Sequence, residues 1–244
     1  AGTLEAMIAA WEGERVARTR DFDDTSGEIK GRRKVRVLDE ESARTIVASV
    51  SGTVATVSKV DEKPYKDCPA PPFTTSTLQQ EAHRKLRWTV RKAMTVAQQL
   101  YETGWITYMR TDSTTLSKQA IEAARGLIRD QYGSDYLPPS PRLYKTKVKN
   151  AQEAHEAIRP AGETFRSLED AQGSLAHDAF RLYELIWKRT VASQMADAVG
   201  KLVTVRLGSG KAEFEAKGKT IEFPGFRRAY VEGSDDPEAE LADR

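Results

Sequence analysis

The period of the apolar residues changes twice along the chain, and that change limits the folds open to it. From about Lys34 to Tyr65, VRVL and TVATVSKV are rich in valine and alternate apolar with polar, the period-2 pattern of half-buried strands. From Thr89 the period becomes helical. Thr89 is a plausible N-cap, Val90, Met94, Ala97, Leu100 and Tyr101 make one apolar stripe, and Gly104 closes the helix. A second helix is predicted from Ser117 to about Tyr132, ended by Gly133, and a third from about Leu175 to Gln194 with Phe180, Tyr183, Trp187 and Val191 in the core. After Gly200 the strand pattern returns in KLVTVRL, AEFEAKG and TIEFPGF. The expectation is an α+β fold: a mainly helical domain, 71–195, inserted into a discontinuous β-rich domain, 1–70 plus 196–244. The Pro-rich KPYKDCPAPPF is the expected linker, because prolines remove backbone donors and favour extended backbone.

With 244 residues, 39% of them apolar, the chain can build a sizeable core. No run approaches the ~20 apolar residues of a membrane span, and the first residues lack a signal-peptide pattern. The single Cys68 excludes an internal disulfide and a thiolate metal cluster. Net charge is +2, but residues 232–244 hold six acidic residues and one basic one; the rest of the chain carries 37 basic against 30 acidic residues. Arg84, Lys85, Arg87, Arg91 and Lys92 form one acid-free cluster, and Arg142, Lys145, Lys147 and Lys149 another. Such clusters track a phosphate backbone or simply solvate a face.

Chemistry concentrates in GWITYMRTDST, Gly104 to Thr114. If the stretch is extended, Tyr108, Arg110 and Asp112 share one side. A phenolic oxygen can attack phosphorus while a guanidinium beside it binds the non-bridging oxygens, and a fixed cation is most useful when charge builds in the transition state. Asp112 could orient Arg110 or hold a water. On spacing alone, such an alternation is more often a packed face with a surface ion pair. Two other motifs fail: His155-Glu156 begins like HExxH but has Arg159 where the second histidine belongs, and Gly208-Ser209-Gly210-Lys211 lacks the first glycine and the Ser or Thr of a phosphate loop, so it reads as a hairpin turn.

ITYMRTDST closely resembles the active-site signature of type IA DNA topoisomerases. PPFTTSTLQQEAHRKL is similar to the family segment that leads to the nucleophile, and AQEAHEAIRP to the family's histidine motif. The three occur in the family's order. The resemblance implies that Tyr108 is the nucleophile, forming a 5'-phosphotyrosine link, that Arg110 contacts the scissile phosphate, and that His155 assists near that site with Asp112 as its natural partner. It also places Gln98, Glu102, Thr107 and Arg159 among the residues that deliver the tyrosine and hold DNA. His83 and His177 have no such context. Met109 resembles the bacterial topoisomerase I branch, where topoisomerase III usually has proline. Tyrosine recombinases are excluded by order, since their tyrosine comes last.

The implied activity is ATP-independent relaxation of negative supercoils through single-stranded DNA, with the β-rich domain as arch and hinge. The implied protein is cytoplasmic, bacterial, nucleoid-associated and monomeric, with no membrane partner. The family's Toprim domain, which binds Mg2+, does not appear in these residues, so no metal ligand is expected here. The isolated chain is expected to be inactive without the remainder of the same polypeptide. The rival reading is a non-catalytic single-stranded DNA-binding module in which Tyr108 only stacks on a base.

Overall fold

The computed structural model describes residues 3–31, 34–144 and 156–231. These residues form helices and one five-stranded sheet. The chain divides into two units, 1–65 with 200–222, and 66–199 with 223–244.

In the first unit the strands are β1 (Met7–Trp11), β2 (Glu14–Arg15), β3 (Thr56–Asp67), β4 (Ala198–Ser209) and β5 (Ala212–Phe223), in the order β2-β1-β5-β4-β3. β1 is antiparallel to β2, with Ala10 opposite Arg15, and to β5, with Met7 opposite Glu215. The turn between β4 and β5 falls at Gly210-Lys211, as the glycine-rich spacing predicts. β5 is one strand through AEFEAKGKTIEF, where the pattern had suggested two.

Three expectations for this unit are corrected. VRVL forms no strand; Arg36 alone makes a bridge, to Val16, and the helix α1 (Glu40–Val50) follows. Asp39 caps it by accepting from the Ser42 amide at 2.8 Å, and Glu40 and Glu41 face the positive end of the helix dipole. These local electrostatic gains outweigh the β preference of Thr45, Ile46 and Val47. The "linker" also begins later than expected, because Lys63–Asp67 belong to β3. β3 is an edge strand, so the donor that Pro64 lacks need not break a ladder. The alternating valines Val54, Val57 and Val60 are exposed rather than half-buried.

The second unit contains α2 (Thr75–Leu86), α3 (Val90–Glu102), α4 (Lys118–Tyr132), α5 (Leu168–Ser174) and α6 (His177–Ser193). The predicted caps are in place: Thr89 accepts from the Lys92 amide, Ser117 from the Ala120 amide, and Gly133 ends α4. α6 packs against α2, α3, α4 and α5, burying Leu182, Tyr183, Ile186, Trp187 and Val191; Phe180 is only partly buried. α2 carries no legible apolar stripe because its buried face is Leu78, Glu81 and Ala82, a charged residue among apolar ones. The buried Tyr230 hydroxyl donates to that Glu81 at 2.5 Å, so residues after β5 return to this core. Gly225 allows the return: its φ is +50°, and a Cβ would lie 2.2 Å from the Asp197 carbonyl oxygen.

The face of α3 also differs from expectation. Ala93, Val96, Ala97 and Leu100 are buried, whereas Val90 and Tyr101 are exposed. The helix is turned so that both ends of the predicted stripe reach solvent.

Candidate active site

Residues 105–113 leave the end of α3 through Gly104, whose φ of +72° lets the chain reverse direction. The amide of Gly104 donates to the Tyr101 carbonyl and that of Trp105 to the Leu100 carbonyl, 2.9 and 2.8 Å, so the stretch is tied to the last turn of α3. Beyond it the side chains alternate. Met109, Thr111 and Ser113 are buried, and Tyr108, Arg110 and Asp112 are exposed, with Tyr108 at 44%. The shared face expected from the spacing is therefore present, although the stretch joins no regular sheet.

What holds it extended is a clasp from two remote segments. The Thr75 amide donates to the Thr111 carbonyl at 2.9 Å; the Thr75 hydroxyl accepts from the Thr111 amide at 2.9 Å and donates to the Met109 carbonyl at 2.8 Å. On the other side the Thr107 amide donates to the Arg159 carbonyl at 2.9 Å. The Thr107 hydroxyl donates to the Ala157 carbonyl at 2.7 Å and accepts from the Arg159 amide at 3.0 Å. Ile158 in turn donates to Phe73. The three motif segments are thus one hydrogen-bonded core, with Phe73, Ile106, Met109 and Ile158 essentially fully buried beneath it.

Glu156 and Arg159 secure the third segment. Glu156 accepts from the Ser117 amide at the N-terminus of α4, 2.6 Å, and from the Arg159 guanidinium, 2.7 Å. Burial works to raise the Glu156 pKa, but the bonds from Arg159 and Ser117 overcome it and hold the carboxyl below its ordinary value. The buried Arg159 also donates to the Pro160 and Gly162 carbonyls, 2.8 and 3.0 Å. Its terminal nitrogens are directed into the protein rather than onto the face of Tyr108.

Among the described residues, the Tyr108 hydroxyl, the Arg110 guanidinium and the Asp112 carboxylate have no hydrogen-bond or ion-pair partner. Arg110 and Asp112 form no ion pair with each other, so the surface-pair alternative is absent among the described residues. The ring of Tyr108 does have a neighbour: Tyr101, at 5.2 Å between centroids and 65° between planes. Tyr101 is 41% exposed, in the same last turn of α3 as Glu102, which accepts from Gln98 at 2.5 Å. Gln98 and Glu102 are therefore paired with each other along α3.

Thr75 and Tyr101 escaped the sequence reading. The first was not singled out, and the second was placed in the apolar stripe of α3. His155 lies outside the described residues, as do Lys145, Lys147, Lys149 and the acidic stretch 232–244. His83 is exposed, with Nδ1 3.2 Å from the Trp88 carbonyl oxygen, and His177 is exposed at the start of α6. Of the basic clusters, Lys92 is bound to Asp178 at 2.8 Å, and Arg142 to Asp197 and the Met195 carbonyl. No three His, Cys, Asp or Glu side chains gather to hold a metal among the described residues, and no helix there is long and apolar enough to cross a membrane.

The family described as DNA topoisomerase matches residues 14–243. DNA topoisomerase 1 of Streptomyces coelicolor is 55% identical over 247 residues, a match covering 99% of this chain and 26% of that protein. DNA topoisomerase 1 of Synechococcus elongatus is 54% identical over 244 residues, covering 100% and 27%. Among solved structures, full-length topoisomerase I from Thermotoga maritima aligns with a TM-score of 0.67 and 35% identity, over 85% of this chain and 35% of that one. The chain spans about a quarter of the length of the curated relatives it matches.

Proposed function

The chain belongs to the type IA DNA topoisomerase family, as a segment like those of bacterial DNA topoisomerase 1, and from that premise we propose that Tyr108 is its nucleophile toward single-stranded DNA. The tyrosine oxygen forms a bond to phosphorus as the bond to the 3'-oxygen breaks, giving a 5'-phosphotyrosine and a free 3'-hydroxyl. The phenol gives up its proton on attack, and the departing 3'-oxygen gains one. Bond energy is conserved, so religation by the 3'-hydroxyl needs no ATP. Between the two steps a second strand passes and negative supercoils relax.

The observation that carries the reading is the exposed Tyr108–Arg110–Asp112 face, with buried residues between and a hydrogen-bonded core behind it. Arg110 is available to bind the non-bridging oxygens of the phosphate and to hold the added charge as the phenol attacks. Asp112 and His155 act beside it. Thr107 serves through the backbone it fixes, and Arg159 acts with Glu156 to seat that backbone. Gln98 and Glu102 border the strand's path along α3.

We place the helical unit as the moving part that carries Tyr108, inserted into the β-rich unit as arch and hinge. Mg2+ would be held by a Toprim domain elsewhere in the polypeptide, where it would supply charge neutralisation at the phosphates. The protein works as a monomer in the bacterial cytoplasm, at the nucleoid. This chain alone does not relax DNA.

The test is a covalent adduct. With the complete polypeptide and a 3'-labelled single-stranded oligonucleotide, label becomes attached to the peptide containing Tyr108, and Tyr108→Phe abolishes it. Binding without any adduct would instead establish the non-catalytic module. Relaxation by the isolated chain, lost in Tyr108→Phe, would overturn the proposed dependence on the remaining domains.

A further inference from the structure

We infer that Tyr101 is a positioning residue for the Tyr108 phenol, an inference that rests on the nucleophilic role proposed above. A tyrosine on an extended surface stretch ordinarily exchanges among staggered side-chain wells on the nanosecond scale. Attack needs the oxygen held near the phosphorus in one direction, and misplacement by about 1 Å can cost on the order of 100-fold in rate. The clasp from Thr75 and Thr107 fixes the backbone on either side of Tyr108 but leaves its ring free, because the phenol has no hydrogen-bond partner among the described residues.

Tyr101 supplies the missing restraint. Its ring meets that of Tyr108 at 5.2 Å and 65°, the edge-to-face arrangement favoured by the ring quadrupoles. The contact is short-range in structure as well as sequence. Tyr101 sits one residue after Leu100, which is 1% exposed, and the Tyr101 carbonyl itself accepts the Gly104 amide that begins the turn toward Tyr108. Both rings are thus mounted on one hydrogen-bonded piece of backbone.

Burial gives a reason to read the pair as functional. An aromatic at the edge of a helical stripe normally packs into the core, and its neighbour Leu100 does so. Tyr101 is 41% exposed and spends its ring on another exposed tyrosine. Its hydroxyl has no partner among the described residues, so the contact with Tyr108 is made by the ring.

The experiment uses the complete polypeptide and a saturating 3'-labelled single-stranded oligonucleotide in single-turnover adduct formation. Tyr101→Ala and Tyr101→Leu lower the adduct rate about 3- to 10-fold, the range expected from losing one edge-to-face contact. Tyr101→Phe, which keeps the ring, restores the wild-type rate. Oligonucleotide Kd, measured in a Tyr108→Phe background where no adduct forms, changes less than about 2-fold, and melting temperature is unaffected, as for other exposed positions. Three results overturn the inference: an unchanged rate in Tyr101→Ala, a Kd increase with an unchanged saturated rate, or failure of Tyr101→Phe to restore the rate. Absence of any adduct in the wild type would instead remove the nucleophilic reading of Tyr108, so the two failures are distinct.

Discussion

Replacing Thr75 with valine tests whether the clasp is what holds the tyrosine's stretch in place. The substitution keeps the shape and removes one hydroxyl, which accepts from the Thr111 amide at 2.9 Å and donates to the Met109 carbonyl at 2.8 Å. Thr111 is 9% exposed and Met109 1%, so water reaches these backbone groups poorly. A buried donor left without its acceptor costs about 1–3 kcal/mol, and an under-satisfied carbonyl somewhat less. Thr75 is only half-buried, which moderates the sum, and the expected loss is about 2–3 kcal/mol. For a domain of this size that lowers Tm by roughly 5–10 °C. Thr75→Ser keeps the hydroxyl and sheds one methyl, at about 1 kcal/mol or less. Calorimetric melting of the chain measures both, and hydrogen exchange reports the Thr111 amide directly. Valine should abolish much of that amide's protection and serine should retain it. A Thr75→Val protein within about 0.5 kcal/mol of the parent, or a serine variant equally destabilised, would refute the clasp.

Three other outcomes are expected. Glu156→Gln removes the charge facing the buried Arg159 and weakens the bond to the Ser117 amide, costing about 2 kcal/mol in denaturant unfolding; no loss would mean that the pair does not seat the segment. Tyr230→Phe deletes the bond to buried Glu81, costing about 1.5–3 kcal/mol by the same measurement. Asp197 is held below the ordinary carboxyl range: burial raises its pKa, but Lys66 and Arg142 lower it by more. The unfolded chain therefore takes up this proton first on acidification, so the contribution is complete above the unfolded value of about 3.9 and is lost as pH falls through the lower folded value. Asp197→Asn should flatten acid unfolding below about pH 4, and an identical acid transition in parent and variant would exclude the assignment.

The helices α3, α4 and α6 were legible because their start and stop chemistry is local. Thr89, Ser117 and Gly133 act through atoms a few residues away. α1 was not, since its cap and acidic first turn had to be weighed against a run of β-branched residues, and α2 was not, since its inward face includes Glu81. That glutamate is met inside by Tyr230, 149 positions later.

At the candidate site, alternation placed Tyr108, Arg110 and Asp112 on one side of the stretch if it is extended, because a period of two is a property of extended backbone itself, and the family resemblance rather than the spacing set them apart from a packed face. Why that stretch stays extended was not local. Its partners are Thr75 and the carbonyls of Ala157 and Arg159, 34 to 52 residues away in sequence. The exposure of Tyr101 likewise depends on how α3 is rotated against α6, a matter of packing that spacing within one helix does not decide. The sequence by itself determined the chemical groups and the face they share. The tertiary structure decided what holds them, because hydrogen bonds between distant segments exist only once the chain has folded.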